Sequence, residues 1–364
     1  MVDRVVNFSP GPAVLPLPVL EQAQRELVAL PGVGMSVLEI SHRSKAFDAI
    51  HTEAKSLLTE LLGIPAGYQI LFLQGGASLQ FSMVPCNFLR GGNRTAHYIV
   101  TGTWGSKALD EAKREGTTAI AWDGKSSNYA NLPERGALRI PPDAAYVHMT
   151  SNETIQGVQF PAEPDVGSAP LVCDASSDFL CRPIAMARYG LLYACAQKNA
   201  GIAGVTVVLV RDEMLERAAS GLPSMLDYRL YAKNDSLYNT PPVFGVYVLM
   251  LVCRWLRDEI GGLEKMAAIN RRKASLLYDV LDGSDGFYRG HAQADCRSLM
   301  NVTFRLPSED LEQEFVAEAK AEKLMDLKGH RSVGGIRASI YNAMPLEGVE
   351  RLRDFMKKFR TKRG

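Results

Sequence analysis

One lysine, Lys198, follows the apolar stretch LLYACAQ (191–197) and stands just ahead of the small-residue run AGIAG (200–204). A lysine drawn out of water finds its ammonium disfavoured and its pKa lowered, which makes the amine nucleophilic toward a carbonyl. A snorkelling side chain with a solvated head is the plain structural alternative. Asp174 closes another apolar run, PLVCDAS (170–176). It could hold a buried ring nitrogen protonated, since a close opposite charge favours the cation, or it could simply cap a helix. Gly75-Gly76-Ala77-Ser78 precedes a helix-like stretch, where backbone N–H groups and the Ser78 hydroxyl favour an anion; a glycine turn capped by serine is the other reading. Trp104 offers an aromatic face or a core side chain, and Thr154 a loop hydroxyl. No GxGxxG or GxxxxGK pattern occurs, which leaves dinucleotide and Walker-type phosphate binding without support.

The elements that must position these groups alternate. Strands are expected at QILFLQ (69–74), HYIVTG (97–102), TAIAW (118–122), AYVHMT (145–150), PLVCDAS, LLYACA (191–196) and GVTVVLV (204–210). Helices are expected from Ser78 to Leu89 and over SKALDEAKREG (106–116). Several of the strand runs are continuously apolar, as in strands covered on both faces, so the rhythm predicts an open, mostly parallel α/β sheet sandwiched by helices. PPVFGVYVLMLVCRWLRDEIGG reads as a long helix stopped by Gly261-Gly262, followed by a second over GLEKMAAINRRKASLLYDVLDG. Beyond it come a strand in LMNVTFRL, a helix over 308–323, a strand near IRASIY (336–341) and a last helix from 346. The division expected is an N-terminal segment 1–16 associated with a small domain, a large domain 17–260, and a small α+β domain 261–364.

In such sheets ligands bind outside the carboxyl ends of the strands. The residues singled out all stand just past predicted strands, so they share one crest. Pyridoxal 5′-phosphate is the cofactor that answers to the set, because it needs a lysine, a carboxylate at its ring nitrogen, an aromatic face, a hydroxyl and a phosphate cradle. Other classes recede. The 41 basic and 40 acidic residues nearly cancel, which offers no handle for nucleic acid or an anionic membrane surface. VYVLMLVC (246–253) is too short to span a bilayer. Six scattered cysteines without a CxxC pair read as buried thiols rather than a metal site, and no secretion signal opens the chain, so a cytoplasmic location is expected. His51, His97, His148 and His291 are assigned to structure.

NFSPGPAVLP (7–16), ISHRSKAF (40–47), LFLQGGASLQF (71–81), TGTWGSKA (101–108), TSNETIQGVQF (150–160), CDASSDFLCRPI (173–184), ACAQKNAGIAG (194–204), YNTPPVF (238–244) and GHRSVGGIRASIYNAM (329–344) together resemble the phosphoserine aminotransferases, fold-type I pyridoxal-phosphate enzymes of aminotransferase class V. The resemblance implies that Lys198 bonds the cofactor and that Asp174 partners its pyridine nitrogen. Trp104 would stack on the ring, Thr154 would meet the ring oxygen, and Ala77, Ser78 and Gln197 would hold the phosphate. Asn239 and Thr240 would reach that phosphate from a second subunit, which makes a homodimer with shared sites; on their residue types alone they could instead cap the PPVF helix. Arg337 would clamp the substrate α-carboxylate by bidentate pairing. His42, Arg43, His330 and Arg331 would hold the distal phosphate or γ-carboxylate. The reaction implied interconverts O-phospho-L-serine and 2-oxoglutarate with 3-phosphooxypyruvate and L-glutamate, and 3-hydroxy-2-oxo-4-phosphooxybutanoate would be a second acceptor. Within class V a cysteine desulfurase is the rival, and it would need a nucleophilic thiol on a mobile loop.

Overall fold

The computed structural model describes residues 4–364; residues 1–3 of the expected N-terminal segment lie outside the described residues. Seven strands form the central sheet: β1 (Tyr68–Leu73), β2 (Ala96–Val100), β3 (Thr118–Asp123), β4 (Tyr146–Thr150), β5 (Leu171–Asp174), β6 (Tyr189–Cys195) and β7 (Thr206–Arg211), in the order β1-β7-β6-β5-β4-β2-β3. Only β7 runs antiparallel to its neighbours. The apolar runs are explained by burial on both faces. Phe72, Val147, Leu171, Leu192 and Leu209 face one apolar cluster, while Leu71, Tyr146, Val172, Leu191 and Val208 face another. Alternate side chains of one strand therefore enter different cores.

Helices cover both faces. α1 (Leu17–Glu26) and α2 (Lys45–Leu62) lie on the first face, and neither was anticipated from the sequence. α2 is well specified locally: the Ser44 hydroxyl accepts from Phe47 N at 3.2 Å, and Phe47, Ile50, Ala54, Leu57 and Leu58 make one buried stripe. α3 (Gly76–Phe88) and α4 (Thr103–Ala112) cover the second face. α4 begins three residues before its expected start, for a reason that lies in the site. α5 (Val243–Arg254) packs against α2 and runs on as a π-helical stretch, Trp255–Ile260, up to Gly261.

The remainder builds a second, α+β core. α6 (Leu263–Asp282), β8 (Asn301–Arg305), α7 (Glu309–Ala321), β9 (Ile336–Ser339) and α8 (Leu346–Arg363) follow in order, with β8 antiparallel to β9. Leu277, Phe304, Phe315, Ile336 and Phe355 bury together, and Phe8 from the N-terminal segment joins them. Val6–Asn7 pairs parallel with Leu324–Met325, which ties that segment to this core. Lys273 of α6 is fully buried and donates to the carbonyls of Ile340, Tyr341, Asn342 and Met344, fastening the chain just past β9. Among the described residues no helix is long and apolar enough to cross a membrane.

Candidate active site

The shared direction of β4, β5 and β6 brings their last residues to one crest. Thr150 registers with Asp174 across β4 and β5, and Asp174 with Tyr193 across β5 and β6. A cavity of about 570 Å³ opens there, and Gly75, Gly76, Ala77, Ser78, Trp104, Thr154, Asp174, Gln197, Lys198, His330 and Arg337 are among its walls. Nine of these wall positions come from just past predicted strands, and two come from the second core.

Lys198 sits in the loop after β6, half-buried, with its Nζ donating to Thr154 Oγ1 at 2.9 Å and lying 5.8 Å from the centroid of the Trp104 ring. The loop is held from both sides: Ala13 N donates to Gln197 O at 2.9 Å, and Asn342 N donates to Asn199 Oδ1 at 2.9 Å. Burial disfavours the ammonium, but the acidic groups facing it, Tyr341, Cys195, Asp174 and Glu153, outweigh burial and raise the pKa. This corrects the expectation of a lowered value. The apolar flanks are real, yet they form the strand behind the lysine, while its head looks onto acids.

Asp174 is buried, and its Oδ1 accepts from Ser176 N at 2.9 Å, an Asx turn rather than a helix cap. Burial raises its pKa, against the pull of Lys198 and Ser176. Trp104 is half-buried with its ring tilted against Phe81, and its Nε1 has no partner among the described residues. At the other end of the cavity α3 begins with Gly75 (φ 87°) and Gly76 (φ 64°) and no side-chain cap, so the serine-cap reading of GGAS falls. Both glycines adopt backbone that other residues rarely take, and the first-turn amides stay open to a ligand.

Arg337 rises from β9, buried. Its NH1 donates to Thr154 O at 3.4 Å, and its Nε has no partner among the described residues. Burial lowers its pKa, with Tyr341 opposing. A desolvated guanidinium without a carboxylate partner is costly unless an anion arrives. His330 joins the wall through a loop where Nδ1 meets Ser332 Oγ at 2.7 Å; burial, then Arg337, Arg331 and Lys107, depress its pKa.

The structure does not bring every expected residue in. His42 is half-buried, Arg43 and Arg331 are exposed, and none of the three lines the cavity of one chain. Asn239 and Thr240 also stay outside it, next to Gln74: Asn239 Nδ2 donates to Gln74 Oε1 at 3.3 Å, and Gln74 Nε2 to Thr240 O at 3.1 Å. They do not cap α5, which starts after Pro242 without a side-chain cap. His51, His97, His148 and His291 lie off the cavity, His148 against Tyr98 and hydrogen-bonded to the Tyr193 hydroxyl at 2.8 Å.

Two neighbours of Lys198 were given no role from the sequence. Tyr341 is fully buried, donating to Pro10 O at 2.7 Å and accepting from Asn301 Nδ2 at 3.2 Å. Glu153 is also fully buried; burial lifts its carboxyl to about 7, while the Gly105 and Trp104 amides and Lys198 pull it down and Asp174 adds to the rise. Its signal was a carboxylate directly past a predicted strand, inside NETIQG.

The family described as aminotransferase class-V matches residues 5–352 of the chain. The chain belongs to that family. A class-V relative, the phosphoserine aminotransferase of Rhodopirellula baltica, is 56% identical over 361 residues, spanning 99% of this chain and 96% of its own. Among solved class-V structures, the phosphoserine aminotransferase from Bacillus circulans subsp. alkalophilus superposes with a TM-score of 0.97 at 54% identity, covering 100% of both chains. The pyridoxal-phosphate-bound phosphoserine aminotransferase from Trichomonas vaginalis does so with 0.92 at 42%, covering 97% of this chain and 100% of its own. The fold is accordingly that of the fold-type I aminotransferases, with the mostly parallel sheet that the sequence implied.

Proposed function

We propose that the chain is a pyridoxal-phosphate-dependent phosphoserine aminotransferase that moves the amino group of L-glutamate to 3-phosphooxypyruvate, giving 2-oxoglutarate and O-phospho-L-serine. The observation that carries this reading is the cavity in which Lys198, Asp174, Trp104 and Thr154 converge at one end of a buried, carboxylate-free Arg337. The cofactor, when bound, supplies an electrophilic carbon and an electron-accepting ring. The residues fit it. An open helix start with two glycines at α3 suits a phosphate, together with Ala77, Ser78 and Gln197. Asp174 holds a proton on the ring nitrogen. Trp104 covers the ring, and Thr154, already hydrogen-bonded to Lys198, meets its oxygen.

Lys198 would be the covalent anchor of the cofactor, and its freed amine would be the base that takes the proton from the substrate Cα. Before the cofactor binds, the groups around Lys198 favour its ammonium, so the amine must give up that proton before it can bond a carbonyl carbon or act as base. Arg337 pairs with the α-carboxylate that all four substrates share, which also satisfies its open Nε. His330 and Arg331 take the distal anion. One cationic pocket accepts phosphate and γ-carboxylate in turn, so ping-pong kinetics are expected.

We further propose a homodimer in which His42, Arg43, Asn239 and Thr240 complete the cavity of the opposite copy. Their absence from their own chain's cavity supports this, as do the exposed apolar residues Val28, Met35 and Leu38 shortly before His42 and Tyr238 beside Asn239. The division at 17–260 and 261–364 is kept as a proposal too, with Leu263 and Met266 at its seam, packed into the large core. The cytoplasmic assignment rests on six buried free thiols. The same burial argues against cysteine desulfuration: Cys195 touches the cavity, but from the end of a rigid strand. A paired assay of the purified chain decides: phosphoserine with 2-oxoglutarate should yield glutamate, and cysteine alone should yield no sulfide. The reverse result would overturn the reading.

A further inference from the structure

α4 carries Trp104 in its first turn, and its own sequence supplies no cap. The first-turn amides of a helix have no intrahelical acceptor. Here another element provides the acceptors. Trp104 N donates to Glu153 Oε2 at 3.1 Å and Gly105 N to Glu153 Oε1 at 2.9 Å. Thr103 N donates to Gln156 Oε1 at 3.4 Å, and Gln156 Nε2 returns a bond to Thr103 Oγ1 at 2.9 Å. Three successive amides thus end on two side chains of the hairpin formed by Asn152–Glu153 and Val158–Gln159. Space is fitted to the carboxylate as well. A Cβ on Gly102 would stand 2.5 Å from Glu153 Cδ, and one on Gly105 would be 3.4 Å from Glu153 Oε1. Gly102 is therefore accounted for by a side chain 51 residues away, whereas at Gly105 a Cβ would make only ordinary contact. The two helix amides are direct hydrogen-bond partners of the Glu153 carboxylate. The same hairpin holds Lys198 through the Thr154 hydroxyl and Arg337 through the Thr154 carbonyl.

We infer that Glu153 is a positioning residue: by accepting from the amides of Trp104 and Gly105 it sets the height and tilt of the Trp104 ring over the cofactor, in register with Lys198. The inference rests on the proposed placement of Trp104 against pyridoxal phosphate. A bidentate carboxylate on two consecutive amides fixes the helix end more tightly than a short N-cap side chain, and an indole misplaced by a fraction of an ångström loses stacking.

The test measures the dissociation constant of pyridoxal phosphate from the full chain, with the tryptophan emission of the cofactor-free chain as a second readout. Glu153→Gln keeps one acceptor and replaces the other with a donor; it should weaken the cofactor about tenfold and shift the tryptophan emission, a shift that should vanish in the Trp104→Ala background, where only Trp122 and Trp255 remain. In a Trp104→Ala background the same substitution should change the constant by less than about twofold, since coupled residues are non-additive. Equal weakening in both backgrounds would mean a general structural role and would overturn the inference. So would an unchanged constant in Glu153→Gln while Trp104→Ala alone weakens binding. If Trp104→Ala alone has no effect, the placement of Trp104 fails instead, and the emission of cofactor-free Glu153→Gln decides whether Glu153 still orients the indole. Should Glu153→Gln not fold, Gly102→Ala displaces the carboxylate without removing it and faces the same pair of comparisons.

Discussion

The inner wall of the cavity and its rim are built on different terms. Asp174, Lys198, Thr154 and Trp104 follow strand ends whose ladder bonds set their spacing, and each is held by a hydrogen bond: Asp174 within its own turn by Ser176 N, Lys198 by the Thr154 hydroxyl, Thr154 by Arg337 and Trp104 by Glu153. At the rim, His330 stands on the 329–335 loop, Arg331 is exposed beside it, and Arg43 lies in the turn before α2, off the cavity. On the proposed function, chemistry falls where backbone register fixes atoms, and recognition of a variable distal anion falls where loops and a second copy can adapt. Rigid strands suit groups that must meet one reacting carbon, and long cationic side chains suit anions of two shapes.

This contrast can be broken at either end. The largest effect is expected at the inner wall: Lys198→Ala should lower transamination about 10³-fold or more in a steady-state glutamate-forming assay. Activity within tenfold of the native chain would remove the amine from the mechanism. Arg337→Met should raise KM for glutamate and for phosphoserine alike, by roughly 100-fold, because every substrate shares the carboxylate it meets. A change confined to one substrate would move Arg337 to the rim. Arg43→Ala should weaken the distal anion by about tenfold with kcat little altered. Mixing that variant with Lys198→Ala should give more activity than the two separately, since a mixed dimer would hold one intact site; strictly additive activity would show that each chain completes its own.

The smallest effect tests the pH behaviour of the rim. His330 is held below its ordinary value by burial and by Arg337, Arg331 and Lys107, so it is neutral at pH 7 and gains a proton only as pH falls below about 6.5. Cationic His330 binds an anion better, so KM for glutamate, whose γ-carboxylate stays ionised there, should fall roughly twofold between pH 7 and 5. The difference between the native chain and His330→Gln isolates this histidine, and parallel profiles would exclude it from the distal anion.

Much of the inner wall was legible because it obeys local rules. Lys198 and Asp174 close continuous apolar runs, and such runs are strands buried on both faces; polar residues at their ends must then share a crest. The α+β order after residue 260 was legible for the same reason, and β8, α7, β9 and α8 fall within a few residues of their expected bounds. Two results were not local. Apart from Cys195 at the end of β6, the acids around Lys198 come from β5, the hairpin and the chain after β9, so apolar flanks alone implied a lowered pKa where the assembled site raises it. The start of α4 was placed three residues late, because its cap is a glutamate 50 residues downstream of Thr103 and nothing within the helix sequence announces it.

By itself, then, the order of residues determined that an amine, a carboxylate, an indole and a glycine-rich helix start would stand together at the ends of parallel strands, since strand direction and side-chain alternation follow from short-range pattern. Which acids face the amine, which cations reach the cavity and what orients the indole were decided only in three dimensions. Electrostatic fields and helix caps act through space, and the groups that supply them here are contributed by segments far apart along the chain.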